Sequence, residues 1–226
     1  MRNAPSAPRY KLAIFDFDGT LADSGDWFLS IADELADRFN FKHVTPEEVE
    51  MLRGKTSRDV IRYLGIPRWR LPGMARYIHR RLADQTDQIA LFEGVATMLE
   101  TLVTGGVRVA VVTSNAEDNA RAILGPVNVA RIEMFECGAS LFGKAARFKK
   151  VLRKTGVALT DAISIGDETR DLAAARKVGI DGAAVVWGYA NYKVLMAMAP
   201  DMVFNAPSEV TDFLLHGAAV IQQAQR

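Results

Sequence analysis

From Val95 onward, unbroken apolar runs alternate with stretches whose apolar residues recur every three or four positions. Val95, Met98, Leu99 and Leu102 keep helical spacing until Gly105-Gly106 ends the element. Val107 to Val112 is largely apolar and rich in β-branched residues, as expected of a strand covered on both faces. The same reading predicts helices over Ala116 to Leu124, Ala145 to Thr155, Thr169 to Val178 and Tyr192 to Met198. Strands are predicted over Leu12 to Phe15, Ile132 to Phe135, Ala162 to Ile165, Ala183 to Trp187 and Met202 to Phe204. Strand and helix in alternation predict an α/β fold, a doubly wound parallel sheet with helices on both faces. In such sheets ligands gather beyond the carboxyl ends of the strands.

The stretch from Ala22 to Leu91 departs from that rhythm. Trp27, Ile31, Leu35 and Phe39 form one helical stripe, and Val60, Ile61 and Leu64 another, the latter following a cap expected at Ser57. Thr45-Pro46-Glu47-Glu48 reads as a helix start with a capping box, and Met74, Tyr77, Ile78 and Leu82 mark a further helix. No strand is expected there. The chain therefore divides into an α/β unit of residues 1–21 and 92–226 and an all-helical insert of residues 22–91.

Composition adds mainly exclusions. At 226 residues and +1 formal charge, nothing global points to nucleic acid or a membrane surface as partner. No apolar stretch has bilayer-spanning length. Met1 to Pro8 lacks an apolar signal core and reads as a flexible lead-in, so a soluble cytoplasmic protein is expected. Cys137, the single cysteine, has no internal disulfide partner and reads as a small packing residue.

Candidate chemistry sits at the strand ends. Leu12 to Phe15 runs straight into Asp16-Phe17-Asp18-Gly19-Thr20. On an extended strand, residues i and i+2 share a side, so Asp16 and Asp18 converge on one point. Two such acids repel unless a cation or phosphate chemistry accompanies them. Thr113 closes Val109 to Val112, and Gly166-Asp167-Glu168-Thr169-Arg170-Asp171 follows Ala162 to Ile165. Asp16, Thr113 and Asp167 are thus all expected at carboxyl ends of strands and in one site.

Together with Lys144, which precedes a helix, these residues resemble the four ordered motifs of the haloacid dehalogenase superfamily, along nearly the whole chain. The resemblance implies a Mg²⁺-dependent phosphomonoester hydrolase (a phosphatase) acting on a small phosphorylated metabolite, with the insert as a helical cap. Asp16 would be the nucleophile that forms an aspartyl-phosphate, and Asp18 the acid and then base. Lys144 would contact Asp16 and a phosphate oxygen, while the Thr113 hydroxyl and the Ser114 and Asn115 amides would donate to phosphate oxygens. Asp16, Asp167, the Asp18 main-chain carbonyl and Asp171, directly or through water, would be the metal ligands.

Asp18 argues against the metal-free dehalogenase branch, which lacks this second acid. The fourth motif and Trp187-Gly188-Tyr189 look most like phosphoglycolate-phosphatase-type hydrolases, although Glu93-Gly94-Val95 and Gly143 to Arg147 lack prolines common in relatives. A sugar-phosphate mutase of the β-phosphoglucomutase type and a catalytically silent binding protein of the same fold remain alternatives. Between Met51 and Ala83 nine Arg or Lys face one acid, Asp59. Arg53-Gly54-Lys55 is the candidate loop to meet an anionic leaving group. Nothing in the pattern speaks to oligomeric state.

Overall fold

The computed structural model describes residues 8–138 and 143–217, so residues 1–7 of the expected lead-in lie outside the described residues. In chain order the strands are β1 (Leu12–Phe15), β2 (Ala22–Asp23), β3 (Ala90–Leu91), β4 (Arg108–Val112), β5 (Met134–Glu136), β6 (Ala162–Gly166), β7 (Asp181–Val185) and β8 (Met202–Phe204). The helices are α1 (Gly25–Ser30), α2 (Ala32–Phe39), α3 (Pro46–Arg53), α4 (Ser57–Tyr63), α5 (Leu71–Ala83) and α6 (Val95–Thr104). They continue with α7 (Glu117–Val129), α8 (Lys144–Thr155), α9 (Thr169–Val178), α10 (Tyr192–Met196) and α11 (Pro207–His216).

Six strands form one sheet in the order β5-β4-β1-β6-β7-β8, every pairing parallel. This is the expected α/β arrangement. Because a strand points successive side chains to opposite faces, β1 serves two cores at once. Ala13 and Phe15 pack with Val95, Leu99, Leu102 and Leu214, whereas Leu12 and Ile14 pack with Phe148, Val151 and Ala175 on the other face. All four β1 side chains are buried. Each large one contributes roughly 1.5–3 kcal/mol of burial free energy, which anchors the strand that delivers Asp16. Phe15 pairs with both Val111 and Ile165, so the ends of β1, β4 and β6 lie side by side on one rim.

The insert between β2 and β3 is helical, but two short strands bound it where none was expected. Ala22 pairs with Leu91 and Asp23 with Ala90 in an antiparallel ribbon. Two-residue strands are too short to leave a period in the sequence. The long stripe of apolar residues breaks at Ile31 into α1 and α2, yet Trp27, Ile31 and Leu35 all remain buried. The capping box of Thr45 and Glu48 forms as read. Thr56, not Ser57, caps α4, since its hydroxyl accepts from the Asp59 amide. Gly125 (φ 70°) bends α7 instead of ending it, with Pro126 opening the continuing turn. No helix among the described residues is long and apolar enough to cross a membrane.

Candidate active site

β1 ends at Phe15 and places Asp16, buried to 2 % exposure, on the rim. The Phe17 amide donates to Asp16 Oδ1 (2.8 Å). On the other oxygen, Oδ2, Lys144 Nζ lies at 2.7 Å as an ion pair. Lys144 is the first residue of α8 and also pairs with Asp171. Both partners are almost wholly buried, and a buried ammonium is tolerated only with such carboxylate company.

Asp18 turns back toward the chain that follows it. Its Oδ1 accepts from the Ser24 hydroxyl (2.9 Å) and from Asn115 Nδ2 (3.2 Å). Ser24 in turn shares a hydrogen bond with the Tyr189 hydroxyl (2.6 Å). Burial, reinforced by the Asp16 charge, pushes the Asp18 carboxyl up to about 6, against the lowering effect of the Ser24 bond. Two neighbouring acids in one buried place are thereby kept in different environments.

Asp167 follows β6 and is fully buried. Thr20 Oγ1 donates to its Oδ1 (2.8 Å) and the Tyr189 amide to its Oδ2 (2.9 Å). Burial first, then the charges of Glu168, Asp16 and Asp171, raise its carboxyl well above the usual range. Backbone crowding is what brings the pieces this close. A Cβ on Gly19 (φ 77°) would lie 2.3 Å from Asp167 Oδ2, and one on Gly188 would lie 2.4 Å from the Gly19 carbonyl oxygen. Both glycines are therefore required by the site itself.

Asp16, Asp167 and Asp171 each offer an oxygen, all within 4.8 Å of one another. Asp16 Oδ2 is buried and makes no hydrogen bond among the described residues. Its ion pair with Lys144 meets the distance but not the hydrogen-bond geometry. An all-oxygen, mutually repelling donor set with an unsatisfied oxygen fits a hard divalent cation.

Asp16, Asp18, Thr113, Asn115, Lys144, Asp167 and Asp171 of the expected residues come together at this rim. The Thr113 hydroxyl, buried, accepts the Asn115 amide (3.0 Å), which leaves its own proton to donate. That same bond commits the Asn115 amide, which was expected to face phosphate; the Asn115 side chain holds Asp18 instead. Ser114 lies in the turn between β4 and α7. Asp171 doubles as the third-position acid of the α9 capping box, accepting the amide of the Glu168 cap (3.1 Å). Arg53 does not reach this cluster. Its Nε donates to the Tyr189 carbonyl (2.9 Å) and a terminal nitrogen to that of Gly188 (3.3 Å). Lys55, half-buried, follows α3 near Asp59.

Ser24, Thr20 and Tyr189 were not foreseen as part of the site. Tyr189 meets Ser24 across 165 residues, and no spacing in the chain records such an encounter. Thr20 lay inside the first motif and was legible as a polar residue beside the acids.

A family model described as haloacid dehalogenase-like hydrolase matches residues 13–185. The phosphoglycolate phosphatase of Synechococcus elongatus is 30% identical over 198 residues, covering 87% of this chain and 93% of that protein. The tyrosine-protein kinase PtkA of Mycobacterium tuberculosis is 29% identical over 183 residues, 79% of this chain and 63% of that one. A haloacid dehalogenase-like family hydrolase from Streptococcus pneumoniae superposes with a TM-score of 0.74 at 20% identity, covering 91% of this chain and 98% of that one. The chain belongs to the haloacid dehalogenase-like hydrolase family.

Proposed function

We propose that this protein is a Mg²⁺-dependent phosphomonoester hydrolase working through an aspartyl-phosphate on Asp16. The observation that carries this is the Asp16 carboxylate, buried on the strand rim with one oxygen unsatisfied and a lysine at 2.7 Å. Asp16 attacks phosphorus, and the ester P–O bond breaks as the leaving alkoxide takes a proton from Asp18. Asp18 then takes a proton from water, whose oxygen attacks phosphorus; the bond to Asp16 breaks, inorganic phosphate leaves and the carboxylate is restored. Lys144 and the Thr113 hydroxyl hold the equatorial oxygens, with no reorganisation needed at the moment of transfer. Asp16, Asp167 and Asp171 would hold the cation, which supplies charge neutralisation at the phosphoryl group.

Residues 22–91 act in this reading as a cap over the rim, hinged at the β2–β3 ribbon. Contacts that join it to the rest of the chain away from the ribbon include Arg53 on the 188–189 carbonyls, the Asn191 amide on the Arg53 carbonyl (2.9 Å), Ser57 Oγ on Glu168 (2.7 Å), and Asn119 Nδ2 on the His79 carbonyl (2.9 Å). Arg53 in this arrangement latches the cap, and Lys55 is left as the loop's candidate for an anionic leaving group. The name of the Synechococcus relative makes 2-phosphoglycolate the first substrate to try. Free phosphate is measured from a panel of small monoesters in Mg²⁺ and in EDTA, for wild type and Asp16→Asn. Release that needs Mg²⁺ and disappears in the variant is expected. Wild-type turnover in Asp16→Asn sinks the nucleophile, and phosphate retained on an organic product points to a transferase or mutase.

A further inference from the structure

Arg170, inside the fourth motif, is the side chain of this rim whose chemistry is not accounted for by the roles above. It stands in the first turn of α9 with its side chain 15% exposed. One terminal nitrogen lies 3.7 Å from Asp16 Oδ2, the same unsatisfied oxygen that Lys144 addresses. Its Nε is 2.9 Å from Glu168 Oε2 but makes no hydrogen bond with it. The same Glu168 oxygen accepts from the Ser57 hydroxyl of α4 (2.7 Å). Asp16, Glu168, Asp167 and Asp171 all hold the guanidinium in its charged form despite burial.

We infer that Arg170 is a second cationic catalytic residue, donating to the equatorial oxygens of the phosphoryl group carried on Asp16. The inference rests on the phosphatase reading. A gap of 3.7 Å is too long for a direct hydrogen bond to the carboxylate. It leaves room for an oxygen of a phosphoryl group carried on Asp16 to come within the guanidinium's reach. A planar fork of donors suits two phosphate oxygens at once, which a lysine ammonium cannot match. Glu168, tethered to the helical insert through Ser57, is the ion-pair partner of the guanidinium at 2.9 Å.

The rival account is charge balance, in which Arg170 merely offsets the crowd of acids. The two separate in Arg170→Gln and Arg170→Lys, assayed in saturating Mg²⁺ with p-nitrophenyl phosphate and with orthovanadate, which takes the trigonal shape of the transferring group. Arg170→Gln is expected to lower kcat about 100-fold, with KM within threefold and vanadate affinity weakened to a similar degree. Arg170→Lys should fall between, and guanidinium ion should restore part of the rate to Arg170→Ala where ammonium does not. The Mg²⁺ concentration for half-activation should be unchanged or lower. Wild-type kcat and vanadate affinity in Arg170→Gln would overturn the inference alone. So would a loss of rate that a lower temperature repairs. A wild-type protein that neither releases phosphate nor binds vanadate overturns the phosphatase reading along with it. If Arg170→Gln does not fold, Arg170→Lys carries the test: full vanadate affinity there counts against the planar fork.

Discussion

Replacing Lys144 with methionine removes a charge but little volume from the most crowded part of the rim, and its cost follows from the geometry. Lys144 Nζ is 2.7 Å from Asp16 Oδ2 and also contacts Asp171, with side chains 5% and 1% exposed. At an effective dielectric constant near 20, a pair at that distance attracts by roughly 6 kcal/mol. Desolvation of the ammonium offsets much of this, and removing one partner of a buried pair costs about 3–5 kcal/mol. For a chain of this size each kcal/mol lowers Tm by roughly 2–4 °C, which places the drop near 10 °C. The measurement is thermal melting at pH 8 in EDTA and again in excess Mg²⁺. In the proposed reading a cation among Asp16, Asp167 and Asp171 would take over part of the lost compensation, so Mg²⁺ should raise the variant's Tm by more than the wild type's.

The pH dependence has a definite sign. Burial already holds the Asp171 carboxyl up at about 6, with Lys144 pulling it down, so the variant's carboxyl rises further. An acid whose folded pKa exceeds its unfolded one penalises the folded state as pH climbs from the unfolded value through the folded one. The deficit of the variant in EDTA should therefore shrink from pH 8 to pH 5. Melting within about 2 °C of wild type in EDTA at pH 8, or equal gains from Mg²⁺ in both proteins, would refute the reasoning.

Two further outcomes test the packing around the site. Gly188→Ala sets a Cβ 2.3 Å from Asp167 Cβ and 2.4 Å from the Gly19 carbonyl, backbone that cannot step aside, and should lose about 1–3 kcal/mol along with most activity. Gly73→Ala, in α5 with its nearest neighbour at 3.9 Å, should be neutral or stabilising by roughly 0.5–1 kcal/mol; similar melts for the two variants would contradict this. Burial and the Glu117 charge push the half-buried Cys137 thiol up to about 12, so iodoacetamide at pH 8 should modify it about a thousandfold more slowly than a free cysteine. Alkylation at the free-thiol rate would show the residue to be exposed.

The sheet, the helices and the acids at the rim were readable along the chain, because they depend on near neighbours. An apolar run must be covered on both faces, and whatever follows it emerges at an edge. Asp16, Thr113 and Asp167 were legible for that reason, and Lys144 and Asp171 through their motif positions. What each acid meets became visible only in three dimensions. Ser24 and Asn115 on Asp18, Tyr189 on Asp167, Arg170 beside Asp16 and Arg53 on the 188–189 carbonyls join loops far apart in sequence. Such contacts are set by how loops pack above the sheet, and they repeat at no period. The basic run of the insert shows the limit most plainly: charge was visible residue by residue, but which cation turns toward the rim depends on how the helices dock.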